Sequence, residues 1–169
     1  MELRTRTDAD LEVLLPMLQR IHELEGYPVR AEAVTAQWLT SAAKPGVTSQ
    51  PELGGWVAVA AARVVGHVAL HPPAGRCLPL WIAGTGCAPD GIAVLSRLFT
   101  DRSVRGSGSA LLGHAVDEAS RRGRRAVLEV DALSPAYGLY LRQGWYEAGR
   151  AVQQWGHRTV DSAALIAPG

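Results

Sequence analysis

Apolar positions recur along this chain in two periods, and their succession predicts an alternation of strands and helices. Leu3 to Arg6 reads as a short opening strand. Leu11, Leu14, Leu18 and Ile21 then repeat at three- and four-residue spacing, the stripe of an amphipathic helix. Thr7 or Asp8 can cap its start, Pro16 inside it predicts a kink or a late start, and Gly26 ends it. Ala31 to Ala42 is a second, shorter helical stretch, followed by a loop from Lys44 to Gly55. Trp56 to Ala60 and Val64 to Leu70 form a β-rich hairpin whose turn lacks the usual Asn-Gly or Asp-Gly. Pro72 to Gly91 is rich in Gly and Pro and reads as a long loop with room for one helical turn around Trp81.

The second half is more regular. Ile92 to Phe99 is a strand, and Ser109 to Arg122 is a strong helix with Leu111, Leu112, Ala115, Val116 and Ala119 on one face. Arg121 and Arg122 suit its C-terminal dipole and Gly123 supplies the stop. Ala126 to Val130 is a strand. Ser134 and Pro135 look like the cap and first residue of a helix that closes at Gly144. Trp145 to Gln154 and Val160 to Ile166 complete the set. The order is βααββ, then βαβα, then ββ, an α/β class.

Length and composition narrow the setting. The chain has 169 residues, which suits one domain over 1–169, with 47% apolar and 20% charged residues. Lys plus Arg is 17 and Asp plus Glu is 16, a net charge of +1. That balance provides no bulk attraction to nucleic acid or to an anionic membrane, so any anion site must be local. No apolar run approaches the roughly 20 residues of a membrane-spanning helix, and Met1 to Asp10 has no signal-peptide core. A cytoplasmic location is expected. Cys77 and Cys87 lack a CxxC motif and make no zinc site, so no metal is expected; they read as two unpaired thiols, with a disulfide the alternative.

The segment with the most chemical content is Arg105-Gly106-Ser107-Gly108-Ser109-Ala110, between a strand and the strong helix. Glycines let the backbone turn tightly and approach a ligand closely. The first-turn N–H groups and the helix dipole then suit a phosphate, with Arg105 adding a fixed positive charge. A Gly-x-Gly turn can equally be a plain connection. A dinucleotide fingerprint would need a third glycine where Leu111 stands, although Glu129 lies where that motif wants an acid. A Walker A loop is excluded by the absence of Gly-Lys-Ser/Thr.

Taken over Leu95 to Leu112, the segment resembles the signature of the GNAT superfamily of N-acetyltransferases. Arg105, Gly108 and Ala110 fall in register with its Gln/Arg-x-x-Gly-x-Gly/Ala core. Downstream, Leu128-x-Val130 followed by Ser134, Tyr137, Tyr140, Gly144 and Trp145 resembles the family's strand–Asn-x-x-Ala-x-x-x-Tyr-x-x-x-Gly-Phe half.

The resemblance implies a mixed, mostly antiparallel sheet splayed between two central parallel strands. It implies acetyl-CoA, or another short acyl-CoA, as co-substrate. The pantetheine arm would bond to the backbone of Leu98, Phe99 and Thr100 like an added strand. The pyrophosphate would rest on Arg105, Gly106, Ser107, Gly108, Ser109 and Ala110, and Ser134 and Tyr137 would complete the cofactor site. The direct-transfer chemistry needs a proton acceptor for the ammonium, a donor for the oxyanion and an acid for the departing thiolate. Tyr140 occupies the family's tyrosine and would be that acid.

The sequence departs from the pattern at four places: Arg102 for Pro, Ser134 for Asn, Tyr137 for the small Ala, and Ser96 where a Glu base is common. Asp131, His67, His71 and an ordered water relay remain alternatives for the base. His22, Glu23, Glu25, Tyr27, Trp38 and Trp81 are the acceptor-side candidates, suited by charge and aromaticity to a cationic amine. The expected partner is a small-molecule amine, with no nucleic acid and no membrane, and the chain could pair as a homodimer. The competing readings are a non-catalytic acyl-CoA-binding or sensing module, and a nucleotide-binding protein.

Overall fold

Three residues at the start of the chain fix where its first helix begins. The Thr7 N–H and hydroxyl both donate to Asp10 Oδ2, at 2.7 and 3.0 Å. Arg4 grips the same carboxylate with two nitrogens, at 2.8 and 2.7 Å, and holds its pKa well below the usual range. A 3₁₀ turn over Asp8–Asp10 results, and α1 (Leu11–Glu25) starts late, with Pro16 inside it and Gly26 closing it at φ +70°.

The computed structural model describes residues 1–40 and 51–169. These form two compact units, one of Met1–His71 with Arg97–Ala115, the other of Pro72–Ser96 with Val116–Gly169.

In the first unit, β1 (Glu2–Thr5) lies antiparallel to β2 (Gly54–Ala60), which pairs with β3 (Arg63–His71). The β2–β3 turn is Ala61-Ala62, both left-handed at φ 47° and 58°. Two-residue hairpins demand that geometry, and here alanines bear it instead of Asn-Gly. β3 neighbours β4 (Ile92–Thr100). Gly66 is required where they meet, since a Cβ there would come 2.8 Å from Thr100 Cγ2 and 2.9 Å from Leu111 Cδ1. The core of this unit is Leu14, Met17, Leu18, Leu39, Val57 and Phe99. The second helical stretch is broken: a 3₁₀ turn at Ala31–Ala33, then α2 (Ala36–Thr40). The expected continuation to Ala42 and most of the loop from Lys44 lie outside the described residues.

In the second unit, β4 pairs in parallel with β5 (Arg125–Asp131), β5 antiparallel with β7 (Arg158–Ile166), and β7 antiparallel with β6 (Tyr146–Trp155). The last strand thus inserts between β5 and β6. The long loop of the sequence reading is largely helical here. α3 (Leu78–Thr85) has Pro79 in its first turn and Gly86 at φ +69° as its C-cap. It buries Trp81, 1% exposed, in a cluster with Cys77, Ile92, Val127, Ala164 and Ile166. Removing a ring so enclosed costs about 3–5 kcal/mol. α5 (Pro135–Arg142) opens as expected: Ser134 Oγ accepts from Ala136 N at 3.2 Å, and Gly144 lies beyond its end at φ +87°. Cys77 and Cys87 are not joined in a disulfide.

Candidate active site

The loop between β4 and α4 (Ser107–Arg121) is built by short polar contacts. Asp101 Oδ1 accepts from the Ser103 N–H and hydroxyl at 2.9 and 2.7 Å, which keeps its carboxyl below the usual range. The Asp101 N–H donates to Val65 O at 2.8 Å and the Val104 N–H to Asp101 O at 3.1 Å. Arg102, where the family has Pro, donates to Glu25 Oε2 at 2.7 Å. Ser107 turns its hydroxyl inward to Val104 O, 2.9 Å, and is 1% exposed. Its side chain therefore shapes the loop from within.

Gly106 sits at φ +82°, and the Ala110 N–H donates to its carbonyl at 3.0 Å. The N–H groups of an α-helix's first turn have no intrahelical acceptor, which makes this end an anion site. Arg105 is exposed beside it. A Cβ on Gly106 would meet nothing within 4 Å, and one on Gly108 only Thr100 Cγ2 at 3.9 Å. No neighbouring side chain fills the space over the two glycines. A phosphate could approach the backbone there, and the residues present fit one.

Upstream, Leu98 and Thr100 are half-buried and Phe99 is buried. The parallel ladder of β4 and β5 ends at Val94–Val127, although β4 runs on to Thr100 and β5 to Asp131. Arg97 then takes φ +52° in mid-strand. A non-glycine residue in that region costs on the order of 1–3 kcal/mol and persists only when its surroundings over-determine it. They do so here. Arg97 Nε donates to Trp38 O at 2.5 Å, and its guanidinium lies 4.7 Å over the Trp38 ring. Its Nη1 meets His71 Nε2 at 2.9 Å, and its carbonyl meets His67 Nδ1 at 2.9 Å. Arg6 in turn meets His67 Nε2 at 2.9 Å and pairs with Glu52.

This network was not legible in the sequence beyond the shared strand face of His67 and His71. It decides what the two rings can do. Burial first, and then the arginine charges, pull both down to about 3. A guanidinium offers only donors, so each Nε2 lone pair is taken and each ring proton sits on Nδ1. Neither ring offers a free lone pair as a base.

In the second unit, Tyr140 is 9% exposed, and burial pushes its phenol up to about 12. Its ring lies 5.8 Å from that of Trp145, and its hydroxyl has no hydrogen-bond partner among the described residues. Tyr137 instead donates its hydroxyl to Glu147 Oε2 at 2.5 Å, beneath the Arg150 guanidinium. Asp131 accepts from the Leu133 N–H at 2.9 Å and from Arg158 at 3.1 Å, the contacts of a turn residue.

The acceptor-side candidates separate. His22 Nδ1 lies 2.6 Å from Pro28 O, Glu23 accepts from Gln19 at 2.7 Å, and Glu25 holds Arg102. Tyr27 and Trp38 stack edge-on at 6.1 Å in the same unit. Trp81 is core of the other unit, too enclosed to face a ligand. Among the described residues no group of His, Cys, Asp and Glu could hold a metal ion, and no helix is long and apolar enough to cross a membrane.

The acetyltransferase (GNAT) family profile matches residues 14–145, which include β4, the glycine loop and Tyr140. The chain belongs to the GNAT acetyltransferase family. Its fold is the GNAT fold. Similar solved structures include a ribosomal-protein-alanine N-acetyltransferase from Brucella melitensis, 21% identical with TM-score 0.69 over 98% of each chain. Arabidopsis thaliana NAA60 in complex with acetyl-CoA is 19% identical, TM-score 0.66, over 98% of this chain and 96% of that one. Salmonella typhimurium yncA with acetyl-CoA is 15% identical, TM-score 0.65, over 98% and 92%. A comparison with proteins of curated function finds no match. As a GNAT member this chain is an N-acetyltransferase, and the family's acetylation depends on acetyl-CoA.

Proposed function

We propose that this GNAT enzyme transfers the acetyl group of acetyl-CoA to the amine of a small molecule, by direct attack in a ternary complex. The observation that carries the reading is the loop over Arg105–Ala110, where Gly106 turns the chain at φ +82° and no neighbouring side chain fills the space over Gly106 or Gly108. On this reading the loop's backbone and Arg105 hold the pyrophosphate, and the backbone of Leu98, Phe99 and Thr100 holds the pantetheine arm. Ser134 and Tyr137 border the cofactor. Acetyl-CoA supplies the activated acyl group. Tyr140 protonates the thiolate, and burial, which pushes its phenol up to about 12, ensures that it holds the proton it must give.

A small acceptor is favoured over a basic protein tail by the balance of charge: Lys plus Arg is 17 and Asp plus Glu is 16, so the chain carries no acidic excess to attract a lysine-rich segment.

One observation favours a second reading, a non-catalytic acyl-CoA-binding module. Ser96 replaces the usual Glu, and both buried histidines have their lone pairs capped by arginine. Release of free CoA thiol over a panel of amines and basic peptides separates the two. Turnover with small amines supports the enzyme, whereas binding without turnover supports the module. Turnover confined to peptides overturns the small-molecule assignment.

A further inference from the structure

The two parallel strands form a fork, and one of its arms carries a carboxylate. Their ladder closes at Val94–Val127, and both strands run on beyond it. Counted from that pair, Ser96 and Glu129 stand at the same register, two residues on along either arm. Side chains two apart share a face of a strand. Both therefore lie on the face of Val94 and Val127, whose neighbours are Cys77, Trp81 and Ile92. Ser96 offers only a hydroxyl, whereas Glu129 brings a charge to the rim of this apolar floor and is half-buried there. Asp131, the next residue on the same face, is drawn to Arg158.

Glu129 is held from two strands away. Gln153 of β6 is only 9% exposed, and its Nε2 donates to Glu129 Oε2 at 2.8 Å and to Cys77 Sγ at 3.7 Å. It reaches across β7, where the residues opposite Glu129 and Asp131 are the small, fully buried Ala164 and Ser162. An ionised carboxylate only accepts, so the amide must turn its NH2 group toward it. A hydrogen bond to an ionised group is about twice as strong as a neutral one, and an enclosed donor fixes the direction of its acceptor. A solvated surface glutamate has no use for such support. A carboxylate whose direction is set in advance binds a partner without the cost of ordering itself.

We infer that Glu129 is the carboxylate that receives the ammonium group of the acceptor, and that Gln153 is the residue that positions it. The inference rests on the acetyltransferase reading above. There the pyrophosphate lies at Arg105–Ala110 and the pantetheine arm runs back along Thr100, Phe99 and Leu98. The acyl group then points toward the closed end of the fork, and Glu129 is two residues from that end. An ammonium carries the charge that a carboxylate recognises and offers it up to three donors. The acceptor is therefore an alkylamine, cationic at neutral pH, and not an arylamine, which is neutral there.

The test measures acetyl transfer by the full chain to an alkylamine and to an arylamine, with acetyl-CoA affinity followed by calorimetry. Glu129→Gln removes the charge and keeps the shape. It should raise the KM for the alkylamine about 10- to 100-fold, the worth of a hydrogen bond to a charged group, and leave the Kd for acetyl-CoA unchanged. Turnover of the arylamine should be indifferent to it. Gln153→Leu should raise the alkylamine KM about 3- to 10-fold with kcat kept, a split that a loss of packing would not produce. Ser96→Glu in the Glu129→Gln chain puts a carboxylate at the same register on the other arm and should recover most of the loss. An alkylamine KM unchanged in a folded Glu129→Gln overturns the inference, as does a parent protein that prefers the arylamine. A parent that binds acetyl-CoA and acetylates no amine would bring down the acetyltransferase reading, and this inference with it.

Discussion

Arg6 Nη1 meets the Nε2 atom of His67 across 2.9 Å, and this contact can exist only while the ring is neutral. His67 and His71 both titrate near 3 in the folded chain, against about 6.5 when unfolded. Between those values the unfolded state binds more protons, so stability rises with pH across that window and is lost as pH falls below about 6.5. From pH 7 to pH 5 the loss should be roughly 2 kcal/mol for each histidine. Chemical denaturation at the two pH values measures it. Replacing both rings should flatten the dependence, and a stability indifferent to pH over this range would mean that the rings are not held neutral.

Gly108 tests the loop. A Cβ there meets only Thr100 Cγ2 at 3.9 Å, so the fold has no need of glycine. Gly108→Ala should leave the apo protein as stable or raise it by about 0.5–1 kcal/mol, because glycine is a poor helix residue. Gly108→Val should fold too, yet lose at least about tenfold in acetyl-CoA affinity, since its branches occupy the approach to the backbone. Titration calorimetry on the two variants checks both halves. Unchanged affinity in Gly108→Val would make the loop a simple connection.

Gly66 predicts the opposite balance. Its missing Cβ makes room for Thr100, Leu111 and the carbonyl of Phe99, which would lie 3.1 Å away. Gly66→Ala should cost about 1–3 kcal/mol through overpacking. A lowered denaturation midpoint with an unchanged slope is the expected result.

The parts of the fold that were legible in the sequence are those governed by local chemistry. Gly26, Gly123 and the Ser134–Pro135 pair act as stops and caps where their types and spacing place them. The sequence reading allowed one helical turn around Trp81 but not the full α3, because prolines and glycines crowd residues 72–91, yet Pro79 in the first turn and Gly86 as the cap were its start and stop signals. The Ala61-Ala62 turn carries no such mark, since its left-handed geometry is imposed by the pairing of Ala60 with Arg63. The Arg105–Ala110 loop stood out by its glycines and its register with the family pattern. The left-handed Arg97 did not, because nothing in an arginine announces it. Its conformation comes from His67, His71 and Trp38, residues 26 to 59 positions away.

Tyr140 carries the acid role in the proposed reaction. Its hydroxyl has no hydrogen-bond partner among the described residues, and burial keeps it protonated to about 12. Tyr140→Phe keeps the ring against Trp145 and removes only the proton donor. The expected fall in kcat is about 100-fold, the low end for acid–base residues, because a thiolate near ~8.5 needs modest help. Acetyl-CoA affinity and the unfolding midpoint should hold. Full turnover in a folded Tyr140→Phe would leave Tyr140 as packing.

The central claim is that this chain acetylates a small amine with acetyl-CoA. Its most direct test incubates the protein with acetyl-CoA and a mixed panel of small amines and peptides, reading free CoA thiol and acetylated products by mass together. The account predicts one acetylated small amine for each CoA released, with both signals falling together in Gly108→Val and Tyr140→Phe. Acetyl-CoA bound at saturation with no acetylated product from any amine would contradict it.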